Sequence, residues 1–177
     1  MSRVSGLLLS AALFLHCAVG MRPQLGEFHG ISNFLRIDSQ ICTGGQPTLD
    51  DLARMKDEGL RAILNLRRPE EFNSAEEAAK AQSLGLRYFL IPVDSKHPRD
   101  EQEVEFLKIL ADPQNRPIFI HCHTANRVGA FWMIRRVLVD GWSVKDAERE
   151  ANKIGLRGKE LRRFARDYIR RNSKKPA

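Results

Sequence analysis

The chain has 177 residues, 42% of them hydrophobic, with 29 Lys and Arg against 22 Asp and Glu for a formal charge of +7. That is one domain's worth of chain with enough apolar material for a real core. Its three cysteines, one of them at position 17, are too few for a disulfide scaffold.

Residues 1–20 begin with Arg3, continue through an apolar run over residues 7–15 and end in Ala18, Val19 and Gly20. A positive start, a short apolar stretch and small residues at the end make a secretory signal peptide, too short for a comfortable membrane span. His16 precedes Cys17 where lipid anchoring needs a small residue, so the expectation is cleavage near Met21. The mature protein is then exported, periplasmic or secreted, with no transmembrane segment. Residues 21–33 read as an N-terminal lead, residues 34–172 as one domain with a basic C-terminal helix, and residues 173–177 as a tail.

Within the domain, residues 34–37 and the pair Ile41 and Cys42 read as strands. Thr48 is a good helix N-cap, with Asp50 and Asp51 in the first turn and Gly59 past the end. Residues 61–66 form the next strand, and Ser74 with Glu77 makes a capping box for an Ala-rich helix ending near Gly85. A third strand pattern covers residues 86–93 and is broken by Pro92. Asp100 with Glu103 is expected to cap the following helix, which presents Val104, Leu107, Ile109 and Leu110 before Asp112 and Pro113. Ile118, Phe119 and Ile120 form an uninterrupted apolar strand, as a fully covered sheet requires. A helix from Val128 to Asp140 follows, and Ser143 with Asp146 caps another, separated from the last by Gly155 and Gly158. Strands alternating with helices imply an α/β three-layer sandwich, a central, mostly parallel sheet flanked by helices.

Between the apolar strand and the helix at Val128 stand Cys122, His123, Thr124, Ala125, Asn126 and Arg127, preceded by His121. Backbone N–H groups at a helix start lack internal partners and attract anions. A cysteine there has a stabilised thiolate, and Arg127 adds a planar donor for an oxyanion. Singly, each residue has a plainer reading: Cys122 as core packing, His121 as a satisfied core histidine, Arg127 as a solvated first-turn residue. Together they make a cysteine-dependent phosphate- or sulfur-transfer site. Asp94 also falls just after a strand, at the sheet end where such folds place function.

These features resemble the dual-specificity/tyrosine-phosphatase-like branch of the cysteine phosphatase superfamily, in its bacterial form. The resemblance rests on Gly44, Gly45, Gln46, Pro47 and Thr48; on Ile63, Leu64, Asn65, Leu66 and Arg67; on Ile91, Pro92, Val93 and Asp94; and on His121 and Cys122 through Arg127, Val128 and Gly129. It implies that Cys122 attacks phosphorus and that Arg127 and the N–H groups of His123, Thr124, Ala125, Asn126 and Arg127 hold the phosphate oxygens. His121 orients the loop and Asp94 is the general acid, with His97 and Asp100 in reserve. The substrate is a phosphorylated protein or small molecule, with no cofactor and no metal.

Three departures stand out. Four residues, not five, separate Cys122 from Arg127; Ala125 stands where glycine is common; and Val128 replaces the usual hydroxyl residue, leaving Thr124 as the nearby hydroxyl. The four-residue spacing is that of rhodanese-like sulfurtransferases, so a Cys122 persulfide is the alternative chemistry, and an inactive anion-binding phosphatase fold is a third. Whether Cys42 and Cys122 pair in an oxidising compartment is left open, because the sequence gives no distance between them. From residue 153 onward ten Lys and Arg face Glu160 and Asp167, a net +8, so everything before carries −1 of the total +7. This basic end reads first as a solvated helix face and alternatively as contact with an anionic surface; no nucleic-acid motif accompanies it.

Overall fold

Short apolar runs of two to four residues, each closed by turn residues or proline, fold as strands, and the longer amphipathic stretches between them as helices. The computed structural model describes residue 26 and residues 28–173; the expected signal peptide, residues 21–25, residue 27 and residues 174–177 lie outside the described residues. In chain order the elements are β1 (Leu35–Arg36), β2 (Ile41–Gly44), α1 (Leu49–Asp57), β3 (Ala62–Asn65), α2 (Ser74–Ser83) and β4 (Arg87–Leu90). Then come α3 (Asp100–Ala111), β5 (Ile118–His121), α4 (Asn126–Leu138), α5 (Val144–Ile154) and α6 (Lys159–Asn172).

The strands form one sheet in the order β1-β2-β5-β3-β4, in which only the β1–β2 pair is antiparallel. β5 is therefore central, and its Ile118, Phe119 and Ile120 are wholly buried, which explains the unbroken apolar run. Alternate residues go to opposite faces. Ile41, Leu64, Ile118 and Ile120 pack against Phe106, Phe131, Ala151 and Leu161 from α3, α4, α5 and α6. Cys42, Ile63 and Phe119 pack on the other side against Leu52 and Met55 of α1 and Ala81 of α2, joined by Phe28 and Ile31 of the lead. The molecule is thus the expected α/β three-layer sandwich, with a mostly parallel sheet between helices.

Two helix starts differ from expectation by one residue. α2 is capped by Asn73, whose side chain accepts from Glu76 N at 3.2 Å, so Ser74 is already helical. α3 has Arg99 at its N-cap position, with Arg99 N donating to Gln102 Oε1 at 2.8 Å. One residue is a 100° rotation on a helix. Glu77 and Glu103, expected as capping partners, are instead fully buried, while Val104, expected on the presented apolar side, is 58% exposed. Ser143 caps α5 as expected, accepting from Asp146 N at 3.1 Å. β4 ends at Leu90 because Ile91 N makes the last ladder bond, to Asn65 O at 2.9 Å, and Pro92 has no N–H to give.

Much of the basic charge of α6 is paired: Arg162 and Arg166 with Glu148, Arg170 with Asp167, and Arg171 with Asp100. Among the described residues, no helix is long and apolar enough to cross a membrane.

Candidate active site

The chain leaves β5 at His121, crosses residues 122–125 and enters α4 at Asn126. Cys122 N still reaches Gly44 O at 3.4 Å, so the cysteine is anchored to the sheet. Beyond it the loop is held by its carbonyls: Gln46 N donates to His123 O at 3.2 Å and Asn33 Nδ2 to Thr124 O at 3.1 Å. In a trans peptide the N–H opposes the C=O, so the N–H groups of Thr124 and Ala125 are turned away from those donors. Ala125 makes the turn into the helix with φ 61°, the left-handed region where glycine is at ease.

The turn between α5 and α6 braces this loop from outside the sheet. Asn126 Oδ1 accepts from Arg157 N at 2.8 Å and from Gly158 N at 3.0 Å. Gly155, at φ +137°, lies so close that a Cβ there would stand 2.9 Å from Thr124 O. His123 and Thr124 remain exposed, whereas Cys122 and Arg127 are buried.

Arg127, in the first turn of α4, is fixed from the far side of the sheet end. Its Nη1 donates to Glu71 Oε1 at 2.9 Å and to Val93 O at 2.9 Å, and its Nη2 donates to Glu71 Oε2 at 2.7 Å. Burial pushes the Glu71 pKa up, but the Arg127 fork and Arg68 at 3.0 Å outweigh it and bring it down to about 2. Arg127 is destabilised by burial in turn, yet Glu71 and the Cys122 sulfur beside it leave its guanidinium more firmly protonated than usual.

The Arg127–Val93 bond ties the segment that carries the next residue, Asp94, to the first turn of α4. Asp94 Oδ1 accepts from Lys96 N at 2.9 Å, and Oδ2 lies 3.1 Å from His97 Nδ1. The Lys96 N–H first, then His97 and the charge of Arg68, hold this exposed carboxyl below its ordinary range. The two reserve acids resolve differently. His97 is a partner of Asp94, and Asp100 is taken by Arg171, which reaches both its oxygens at 2.8 Å.

His121 is wholly buried, with its ring stacked on Phe119 at 5.5 Å and 8°. Its Nε2 lies 3.4 Å from Glu77 Oε2, an ion-pair distance that is long for a hydrogen bond. Glu77 also accepts from Asn65 Nδ2 at 2.8 Å, from Tyr88 Oη at 2.7 Å and from Gln46 Nε2 at 2.7 Å. Gln46 Oε1 in turn accepts from Arg67 Nη1 at 2.9 Å, and Asn65 Oδ1 from Arg67 N at 2.8 Å. The family-like positions Gln46, Asn65 and Arg67 thus form a polar layer under the loop. Glu71, Glu77 and Tyr88 carry no sequence pattern that marks them for the site. The one signal for Glu77 is that it shares a helix face with Ala81, four residues on, where a core position is expected.

Cys122 carries a free thiol, so no Cys42–Cys122 pairing is made. The sheet separates them: Cys42 belongs to the apolar cluster on the α1–α2 side and Cys122 to the cluster on the other.

Residues 30–169 match the family described as "DSP-PTPase phosphatase fused to NAD+ Kinase". Two solved structures share the fold over most of their length. TpbA of P. aeruginosa has a TM-score of 0.65 and 18% identity, over 87% of this chain and 92% of that one. The core catalytic domain of the PP-IP phosphatase SIW14 of S. cerevisiae has a TM-score of 0.67 and 22% identity, over 78% of this chain and 86% of that one. A curated relative, the beta-lactamase hydrolase-like protein of Agrobacterium fabrum, is 24% identical over 108 residues, 59% of this chain and 25% of that protein. The chain accordingly spans about a quarter of that relative's length. Strand, cysteine loop and helix lie within a family match running from residue 30 to residue 169, and the chain belongs to this DSP/PTP-like family of cysteine phosphatases.

Proposed function

We propose that the protein hydrolyses a phosphate monoester, on a protein or a small molecule, through a cysteinyl-phosphate on Cys122. The observation that carries this reading is the pinned guanidinium of Arg127, fixed by Glu71 and Val93 in the first helical turn after the Cys122 loop. A fixed, permanently charged fork beside the nucleophile stabilises oxygen charge as it develops, at no cost of reorganisation during reaction.

In the proposed sequence, Cys122 Sγ donates an electron pair to phosphorus while the bond to the ester oxygen breaks. Asp94 gives its proton to that departing oxygen. In the second step Asp94, now a carboxylate, takes a proton from water as its oxygen attacks phosphorus and the P–S bond breaks. Arg127 and the loop N–H groups hold the remaining phosphate oxygens in both steps. The names of the P. aeruginosa and S. cerevisiae neighbours, a pTyr-complexed protein and a PP-IP phosphatase, support a phosphorylated substrate. Residues 1–20 support work outside the cytoplasm.

A second reading, sulfur transfer through a Cys122 persulfide, is favoured by the four-residue spacing between Cys122 and Arg127. A shorter loop offers fewer inward N–H groups. A paired turnover assay on the full chain under reducing conditions tests both, following phosphate release from an aryl phosphate and thiocyanate formation from thiosulfate and cyanide. Cys122→Ser is the blank. Phosphate release lost in the blank supports the first reading; thiocyanate formation without phosphate release replaces it with the second.

A further inference from the structure

At the end of the sheet opposite the cysteine loop, where the parallel strands β2, β5 and β3 begin, the chain encloses a cavity of about 740 Å³. Separate segments wall it: the end of α1 and the entry to β3 through Lys56, Leu60 and Arg61, and the α3–β5 connection through Pro113, Arg116 and Pro117. We propose that this cavity is a second ligand site, for a small organic dianion, a phosphoryl or dicarboxylate group on an apolar body. The inference goes beyond the proposed function and does not rest on the chemistry of Cys122.

The charge in the cavity is unmatched. Among the described residues no carboxylate lines it, and no salt bridge reaches Lys56, Arg61 or Arg116. The acids nearest in the chain are engaged elsewhere or lie outside the lining. Asp38 accepts from Gln40 N at 2.7 Å, Glu58 from Gly26 N, and Asp112 from Gln114 N at 2.8 Å and Arg87 Nη1 at 3.1 Å; Asp57 is exposed. Helix ends account for part of the basic charge, because α1 ends beside Lys56 and Arg116 Nη2 donates to Leu110 O, in the last turn of α3, at 2.7 Å. Each helix end carries about half a negative charge, so roughly two positive charges of the three remain uncompensated.

The charge is also held in place and partly dry. The bond to Leu110 O fixes the Arg116 guanidinium, and its Nε is shielded from water with no hydrogen-bond partner among the described residues. A cation desolvated on one edge is destabilised, and an anion seated beside it offsets that cost. The rim offers no backbone cradle. The N–H groups of Gly59, Leu60 and Arg61 are already bonded to Lys56 O, Met55 O and Pro117 O, each at 2.9 Å, and the two prolines have none. Recognition therefore falls to the three cationic side chains, with Leu60, Pro113 and Pro117 as the apolar contact. The volume lies within the roughly 300–1,000 Å³ of small-molecule sites.

The experiment is a titration of the 15N-labelled full chain at pH 8 with phenylphosphonate, phthalate and neutral benzamide, followed by assigned amide shifts. The expected result is a shift of Gln40, Gly59, Leu60 and Arg61 that saturates by about 10 mM with at least one dianion and is absent with benzamide. Which dianion produces it tells phosphoryl from dicarboxylate recognition. Lys56→Gln combined with Arg61→Gln removes two cations that make no side-chain hydrogen bond, and should weaken binding roughly tenfold.

No saturation at these four amides by that concentration, equal shifts with benzamide, or undiminished affinity in the folded double variant overturns the proposal. Should the double variant not fold, salt decides: wild-type binding that weakens with added salt supports the proposal, and salt-independent binding overturns it. A probe that also enters the cysteine loop shifts residues 123–127 and is counted separately. Failure at this cavity therefore leaves the proposed hydrolysis untouched, and failure of hydrolysis leaves this site untouched.

Discussion

Glu71 grips Arg127 through both carboxylate oxygens, at 2.9 and 2.7 Å, although 56 residues separate them in the chain. The bidentate fork leaves the guanidinium one orientation, and the Val93 carbonyl at 2.9 Å fixes it from a third direction. Glu71→Gln keeps the shape and loses one of the two charge-assisted bonds. Phosphate release is expected to fall about tenfold to a hundredfold in kcat/KM, mostly through kcat, because the donor acts on charge that develops in the transition state. Steady-state kinetics on an aryl phosphate measure it; a change confined to KM would place Glu71 in uniform binding.

The same pair has a pH signature. Glu71 is brought from 4.5 down to about 2 in the folded protein. A depressed pKa stabilises the fold above the unfolded value, so the contribution is complete above about pH 4.5 and is lost as pH falls through about 2. Urea midpoints of wild type and Glu71→Gln should differ at pH 7 and converge as the pH approaches 2.

Asp94 has the opposite consequence for rate. Its carboxyl lies below the ordinary range because of the Lys96 N–H and His97, so the proton it must give is present only towards acid pH. For an alkyl phosphate, turnover should rise as pH falls. Asp94→Asn should flatten that limb and slow the reaction by about 10² to 10⁴. An aryl phosphate with a good leaving group should be slowed less. Equal slowing of both substrates would remove Asp94 from the acid role.

Gly155 and Ala125 meet at the back of the loop. Gly155→Ala places a Cβ 2.9 Å from Thr124 O at a φ of +137°, so both strain and contact push on the cysteine loop. A stability loss of about 1–2 kcal/mol is expected from the backbone conformation alone, with weakened phosphate release. Ala125→Gly relieves φ 61° and should stabilise the chain by about 0.5–1 kcal/mol. Thermal melts of the two variants measure these opposite signs.

Legibility divides along the same residues. Cys122, His121 and Arg127 read as one site because strand, loop and helix are consecutive in the chain. Asp94 is legible from its place after a strand. Glu77 reads as a capping partner because a Ser74–Glu77 capping box is a good local pattern; Asn73 takes the cap instead, and Glu77 lies buried beside His121. Glu103 misleads for the same reason, because the α3 cap lies at Arg99 rather than Asp100. Cap positions are weakly specified by sequence because Ser, Asn, Asp and Thr are near-equal acceptors, and the packing of the helix face decides among them.

The sequence by itself determined what is local. The alternation of short apolar runs with amphipathic stretches committed the chain to a covered parallel sheet. The cysteine and arginine bracketing a strand-to-helix turn marked the candidate site there. The tertiary structure alone decided which carboxylate meets which cation. Glu71 reaches Arg127 and Glu77 reaches His121 only because β3 lies beside β5 in the sheet order, which brings the segment after β3 to the cysteine loop. An ion pair carries no sequence period, and many acidic residues could serve equally well by charge. Sheet order and helix rotation choose one.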